Sequence, residues 1–374
     1  MSNPLPVTVL TGSPGADGTK VFERVRRQTE GLRVIAIVPG RGRKRSRSNK
    51  DDSVIPTTER LVRLGKGCSC CTVRGDLMAK VQRIAEESTA DHIVIQAAPH
   101  SDLSTLAKTF TVADESGAIL SNLARIESLV TVIDATTVLD ALGSATGRAL
   151  IERIEIANVV VIDGAADVAT DVFDRILIAV EALNPHARIV RSDEDGFALT
   201  SLRGAQPFDL DVAQERSRQL GARAIESSSS GSIVRFAFQD RRPFHPVRWQ
   251  AFLDEGWPGV LRSQGTFWVA SRPDLAASLD VAGGSHNTAA SGMWWATVPE
   301  GQRPDSAEFK QYIDSIWHSE FGDRLQDLTV VGVEVDEAAM RKRLEDCLLT
   351  AEELASPEQW PAMPHPFTWA QESN

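Results

Sequence analysis

Short apolar runs alternate with amphipathic stretches along the N-terminal half, and this alternation constrains the fold more than any other feature. The runs span residues 7–10, 32–38, 61–64, 92–96, 129–134, 158–162 and 187–191. Strands that are apolar on both faces are typical of parallel sheets, which helices cover on each side. The sequence therefore predicts an α/β fold with a doubly wound, mostly parallel sheet and functional loops at the strand carboxyl ends.

The loop after the first run lies between a strand and a helix, which is the setting of a phosphate-binding loop. That motif reads Gly, four residues, Gly, Lys, then Ser or Thr. Counted from Gly12, the second glycine position holds Asp17 and the lysine position holds Gly18. Thr19 is in place, and Lys20 lies two positions late. The loop therefore has the expected context without the full motif.

The missing lysine has a chemical consequence. A charge-assisted hydrogen bond to phosphate contributes roughly 1.5–3 kcal/mol. Asp17 adds a negative charge where phosphate oxygens would lie. We therefore do not expect active nucleotide hydrolysis, and a plain strand-to-helix turn is the favoured interpretation of this segment. The candidate residues of this degenerate nucleotide site are Gly12, Gly15, Thr19 and Lys20.

Three of the four cysteines fall within four residues, at Cys68, Cys70 and Cys71. Thiolates this close can share one soft metal ion and supply most of a tetrahedral zinc shell. A disulfide is less favoured, because adjacent cysteines close only a strained ring, and three buried small residues are the other alternative. The flanking Gly67 and Thr72 favour an exposed turn. The fourth zinc ligand is open: water, a carboxylate, a histidine or a partner residue.

A basic run interrupts the pattern between residues 41 and 50. Such a block is a solvated loop or a contact for a phosphate backbone such as rRNA, and the residues do not decide between the two. The formal net charge of −11 opposes binding of the whole chain to nucleic acid, so DNA is not an expected partner. The six basic residues are Arg41, Arg43, Lys44, Arg45, Arg47 and Lys50.

The termini and cysteine usage bear on location. Residues 1–6 lack the features of a secretion signal, and no run of about 18 apolar residues predicts a membrane span. Four cysteines in 374 residues do not make a disulfide framework. We expect a cytoplasmic protein that does not bind membranes.

The C-terminal half predicts a smaller α+β domain. Strands are expected at 233–238, 293–296 and 330–335, and a strand pair or bent strand at 260–269. One helix is expected to start within residues 243–246 and run through about 252, and another to span 337–347. Most of its tryptophans are expected in the core. The predicted organisation is a first domain at 1–195, a linker at 196–231, the second domain at 232–355 and a tail at 356–374 that packs on something or binds a partner.

The chain resembles the CobW family of metal-handling P-loop GTPases. The segment Gly67 to Thr72 matches the Gly-Cys-x-Cys-Cys motif of that family. Further matching elements lie in the second half, at Arg242–Pro246, Arg262–Trp268, Trp294–Trp295, Phe321–Arg324 and Leu348–Thr350.

This resemblance implies a protein that binds GTP and Mg²⁺ and carries Zn²⁺ or Co²⁺ on the cysteine turn to a client protein. It carries Cys68, Cys70 and Cys71 over as metal ligands. It does not carry the GTPase over, because Gly18 replaces the lysine, Gln96 replaces an acidic residue, and residues 163–166 keep none of the guanine-reading Asn-Lys-x-Asp residues.

Three functions follow from the resemblance. The first is a zinc-binding pseudo-GTPase that acts in zinc homeostasis as a carrier or a sensor. The second is a zinc-responsive adaptor that binds the ribosomal small subunit, as in an actinobacterial branch linked to ribosome hibernation under zinc limitation. The third is an active GTP-dependent metallochaperone that uses Lys20 through a shifted loop.

Overall fold

The computed structural model describes residues 3–12, 18–29, 31–38, 59–63, 72–98, 101–113, 117, 119–203, 206–222 and 232–370. The chain divides into two compact units. The first contains Met1–Ala141 and Glu152–Ser217, and the second contains Leu142–Ile151 and Arg218–Asn374. None of the described helices has the length and apolar character needed to cross a membrane.

The first unit is built on a seven-stranded sheet in which every pair of neighbours is parallel. The strand order is β3-β2-β4-β1-β5-β6-β7. This confirms the predicted α/β fold. The strands are β1 (Leu5–Gly12), β2 (Val34–Val38), β3 (Glu59–Arg63), β4 (His92–Gln96), β5 (Ala124–Asp134), β6 (Val159–Asp163) and β7 (Arg188–Arg191).

Helices connect the strands and build a core on both faces of the sheet. On one face, Val7 and Val9 of β1 belong to a cluster with residues of α2 and α3. On the other face, Leu10 of β1 packs in a cluster with Phe22 of α1, because successive strand side chains point to opposite faces. The helices are α1 (Thr19–Arg27), α2 (Thr72–Glu87), α3 (Leu103–Thr111), α4 (Val138–Gly143), α5 (Arg148–Ile156), α6 (Thr170–Leu183) and α7 (Leu210–Ala222).

The second unit contains a five-stranded antiparallel sheet of order β11-β10-β9-β12-β8. Together with its helices this confirms the predicted α+β class. The elements are β8 (Ile233–Asp240), α8 (Pro246–Glu255), β9 (Val260–Phe267), β10 (Leu275–Ala282), β11 (Ser285–Met293), α9 (Ala307–Ile316), β12 (Gln326–Val333), α10 (Glu337–Asp346) and α11 (Ala351–Leu354).

Aromatic side chains fill the core of the second unit. The rings of Phe244 and Trp249 stack at 4.2 Å between centroids, and Trp268 is also fully buried. Trp257 and Trp294 are buried as well, so the prediction of a mostly internal tryptophan cluster is confirmed. Trp317 is the clear exception, since it is 41% exposed.

The prediction of a strand over residues 293–296 was wrong. Strand β11 ends at Met293, and Trp295–Thr297 forms a 3-10 turn. The carboxylate of Asp323 accepts the backbone N–H groups of Trp295 and Ala296 at 2.9 and 2.8 Å. These bonds occupy donors that a strand would use for its ladder, so the chain turns away from the sheet.

The tail packs on its own unit as far as the structure describes it. Phe367 is 3% exposed and belongs to the aromatic core. Trp360 donates its indole N–H to the carbonyl of Glu353, and Trp369 donates to the hydroxyl of Thr288. Residues 357–370 are therefore part of the folded unit.

Candidate functional site

The predicted nucleotide site lies where β1 ends and α1 begins. Gly12 is the last residue of β1, and Gly18 is the N-cap of α1 with a φ of 62°. A Cβ on Gly18 would lie 3.3 Å from the backbone nitrogen of Gly12. Glycine therefore fits this position both by its left-handed backbone and by the close approach of the strand end. Gly15 lies outside the described residues.

A side-chain hydrogen bond links Thr19 to the neighbouring strand. The Gln96 amide Nε2, at the end of β4, donates to Thr19 Oγ1 at 3.1 Å. In phosphate-loop sites this hydroxyl binds Mg²⁺, and an acidic side chain supports the ion from a nearby strand. At the position of that acidic side chain, Gln96 supplies an uncharged amide that donates a hydrogen bond. Gln96 therefore supplies no carboxylate to support a magnesium ion beside Thr19.

Lys20 lies in the first turn of α1, and its side chain is exposed. Among the described residues it has no hydrogen-bond or ion-pair partner. The apolar face of the same helix, formed by Val21, Phe22 and Val25, is buried. The use of Lys20 through a shifted loop stays a prediction, because residues 13–17 are not described.

Arg153 of α5 supports the end of β1 and was missed by sequence reasoning. Its Nη1 donates to the carbonyl of Gly12 at 3.0 Å, and the residue is only 6% exposed. Burial lowers the pKa of this guanidinium. The sequence does contain one indication of this role. Arg153 follows the apolar Leu150 by three residues, so both side chains lie on the face of α5 that packs inward.

The ends of β5 and β6 place two carboxylates at the same edge of the sheet. Asp134 Oδ1 accepts the backbone N–H and the hydroxyl of Thr136, at 2.8 and 2.6 Å. Asp163 Oδ1 accepts the hydroxyl of Ser192 at 2.5 Å. Asp134 therefore stabilises its own turn, whereas Asp163 links the end of β6 to Ser192, directly after β7. Asp163 begins the segment aligned with the guanine-reading motif, and a carboxylate there accepts hydrogen bonds but cannot donate them.

The predicted metal and RNA-binding residues lie outside the described residues. Cys68, Cys70 and Cys71 fall in the connection from β3 to α2, and the six cations from Arg41 to Lys50 fall in the connection from β2 to β3. Within the described part of the chain, no group of three or more His, Cys, Asp or Glu side chains is arranged to hold a metal ion. The cysteine and basic-loop sites therefore stay predictions.

His245 has a structural role at the start of α8. It is the N-cap of α8, where its Nδ1 accepts the backbone N–H groups of Val247 and Arg248 at 3.2 and 3.4 Å. Burial lowers its pKa. A nitrogen that accepts helix N–H groups is not free to bind a metal.

Comparison with protein-family models gives two matches. Residues 6–191 match the model described as CobW/HypB/UreG, nucleotide-binding domain. Residues 233–348 match the model described as cobalamin synthesis protein cobW C-terminal domain. The two models together span both halves of the chain.

Similar proteins agree with these matches, and one solved structure is reported beside them. A zinc-regulated GTPase metalloprotein activator 1 of Dictyostelium discoideum is 28% identical, over 94% of this chain and 81% of that protein. A zinc chaperone of Mycobacterium tuberculosis is 26% identical, over 97% of this chain and 92% of that protein. The structure of Zn(II)-bound YjiA GTPase from E. coli matches 93% of this chain and all of that one, with 12% identity and a TM-score of 0.40.

Proposed function

Because the chain belongs to the CobW family, we propose that it binds zinc on Cys68, Cys70 and Cys71 and passes the metal to a client protein without a GTP-hydrolysis cycle. One contrast carries this proposal. The Gly-Cys-x-Cys-Cys segment is complete, whereas the residue beside Thr19 is the uncharged Gln96. The names of the two similar proteins, a zinc chaperone and a zinc-regulated activator, support a zinc-related role.

The zinc part rests on thiolate chemistry. Three thiolates around one Zn²⁺ leave a single net negative charge and one vacant tetrahedral position. Arg63, Lys66 and Arg74 flank the turn in the sequence, and nearby cations favour the thiolate form. The vacant position lets a ligand of the client enter before the cysteines release the ion. Zinc transfer by ligand exchange therefore needs no energy from nucleotide hydrolysis.

The absence of a GTP cycle rests on three local features. Gly18 has the left-handed backbone of an N-cap, Gln96 donates to Thr19, and Asp163 holds Ser192. Gly18, Gln96 and Asp163 stand where the family motif has residues that bind phosphate, magnesium and guanine. A single lost motif can be compensated by a neighbour, whereas three losses at one sheet edge favour a pseudo-GTPase.

The zinc part is tested by measuring the metal content of the purified chain by mass spectrometry. We expect about one zinc per chain, since three thiolates form one site. A triple Cys→Ser variant at positions 68, 70 and 71 should lose the metal. Cys347→Ser is the matched control, because Cys347 is buried at the end of α10 and should not contribute. Zinc that persists in the triple variant would contradict the proposed ligands.

The nucleotide part needs a separate measurement. Calorimetric titration of the wild-type chain with GTP should give the same binding heat with and without Mg²⁺, because the loop after β1 is proposed to form no magnesium–nucleotide complex. Release of phosphate from GTP above the buffer rate would refute the pseudo-GTPase while leaving the zinc site intact. The two parts can therefore fail independently.

A further inference from the structure

A cavity of about 700 Å³ lies in the first unit, at the edge of the sheet opposite to the candidate site. Its walls come from the starts of β5 and β7, the residues before β6, the ends of α5 and α6, and the first turns of α7. A volume between about 300 and 1,000 Å³ is typical of sites for small molecules. Neither the proposed zinc transfer nor the degenerate nucleotide loop uses this cavity.

Two asparagine amides fix the shape of the cavity. Asn184, only 7% exposed, donates its Nδ2 to the carbonyls of Ile154, Glu155 and Ala157 at 2.7–3.0 Å. These bonds satisfy the carbonyls at the end of α5, so the negative end of that helix does not face an empty space. The Nδ2 of Asn158 donates to the carbonyls of Glu127 and Gln206. These hydrogen bonds within the chain therefore hold the cavity in shape without a bound ligand.

The charged side chains at the cavity are mainly cationic. Arg125, Arg188 and Arg216 line it, and the acidic members are Glu155 and Asp209. Both carboxylates already accept hydrogen bonds within the chain. Glu155 Oε2 accepts from the hydroxyl of Ser217 at 3.3 Å, and Asp209 Oδ1 accepts the first-turn N–H of Val212 at 3.0 Å.

The guanidinium groups keep donors for a ligand. Arg188 uses Nη1 for the carbonyl of Arg203 at 2.7 Å. Among the described residues, the guanidinium groups of Arg125 and Arg216 have no hydrogen-bond or ion-pair partner. The whole chain has a net charge of −11, whereas the three arginines give the surface around this cavity a positive charge. The guanidinium fork matches the oxygens of phosphate and binds them in pairs.

The remaining wall is apolar. Ile156 and Phe208 are each 9% exposed, and Val212 is 43% exposed. Pro207 adds a further apolar surface. We propose that this cavity binds a small organic phosphate, with the phosphate on Arg125, Arg188 and Arg216 and an apolar or ring-bearing body against Ile156, Pro207 and Val212.

The test is a calorimetric titration of the full chain with AMP, and separately with inorganic pyrophosphate. AMP should bind more tightly than pyrophosphate, because only AMP offers a body for the apolar wall. Arg125→Gln and Arg216→Gln should each weaken AMP binding by roughly 10- to 100-fold, which is the range for one lost charge-assisted hydrogen bond. Arg175→Gln is the matched control, since Arg175 is an exposed arginine of α6 that does not line the cavity.

A loop variant separates this cavity from the degenerate nucleotide site. Lys20→Ala should leave AMP affinity unchanged, because Lys20 lies at the opposite sheet edge. The proposal is overturned if AMP does not bind, if pyrophosphate binds as tightly as AMP, or if Lys20→Ala abolishes binding while the arginine variants retain it. All the substituted arginines are exposed, so circular dichroism of the variants should match that of the wild type.

Discussion

Acidification should destabilise the first unit through His92, the first residue of β4. Its ring is fully buried, with Nε2 at 2.9 Å from Thr8 Oγ1. Its Nδ1 has no hydrogen bond and lies 3.9 Å from Glu127 Oε2. Burial, and secondarily the charge of Arg203, lowers the pKa of His92 from 6.5 to about 4.

The sign and size of the change in the free energy of unfolding follow from the pKa of His92. The unfolded chain takes up a proton near pH 6.5, whereas the folded chain does so only near pH 4. The unfolded state therefore binds more protons in this interval, and the free energy of unfolding decreases as the pH falls. The contribution is fully present above pH 6.5. The loss approaches about 3 kcal/mol near pH 4, since one pKa unit corresponds to about 1.4 kcal/mol.

The assay must report on the first unit alone. All eight tryptophans lie between Trp249 and Trp369, so intrinsic tryptophan fluorescence reports only on the second unit. We would equilibrate the chain in urea at several pH values between 7 and 4.5, then apply a short hydrogen-exchange pulse at one fixed pH. Mass spectrometry of peptides from β1 and β4 then gives the urea midpoint of the first unit.

A variant isolates the histidine from other titrating groups. His92→Gln keeps a polar group near Thr8 and cannot titrate, so its midpoint should fall much less between pH 6.5 and 4.5. His186→Gln, at an exposed histidine of the same unit, is the control and should follow the wild type. Equal losses of stability in the wild type and in His92→Gln would refute the reasoning.

Two further predictions address the second unit and the basic run. Gly265→Ala should destabilise the second unit by more than about 2 kcal/mol, because a Cβ there would lie 1.9 Å from the Asp327 carbonyl oxygen. Tryptophan fluorescence in urea measures this loss, and Gly301→Ala, with nothing within 4 Å, should change stability little. The alternative function as a ribosome-binding adaptor requires salt-sensitive co-sedimentation with ribosomes, and replacing the six basic residues between Arg41 and Lys50 with glutamine should then abolish it. Absence of co-sedimentation in the wild type, or unchanged sedimentation of the variant, would exclude this role for the run.

The parallel sheet could be predicted from the sequence because each buried strand is a continuous apolar run. The edge strand β11 could not. Strand β11 reads Ser-His-Asn-Thr-Ala-Ala-Ser-Gly-Met, and its side chains are largely exposed. Such a strand lies at the edge of the sheet and is held by backbone pairing with β10, so it has no hydrophobic pattern to reveal it.

Only the parts of the candidate site that are contiguous in the sequence could be predicted. The strand, loop and helix around Gly12 and Thr19 are contiguous, so the motif and its departures can be read along the chain. Arg153 reaches the Gly12 carbonyl across 141 residues, and Gln96 reaches Thr19 across 77. Contacts of this kind depend on strand order, which the sequence pattern does not specify.

The geometry at Gly18 also bears on whether a single Gly18→Lys substitution could confer nucleotide hydrolysis. Lysine at this position would place a Cβ 3.3 Å from the Gly12 nitrogen on a backbone with φ of 62°. A side chain there is strained, because L-residues rarely adopt this region. Gln96 would still donate to Thr19 and still lack a charge for magnesium. On the proposed pseudo-GTPase, Gly18→Lys alone should therefore give no release of phosphate from GTP above the buffer rate.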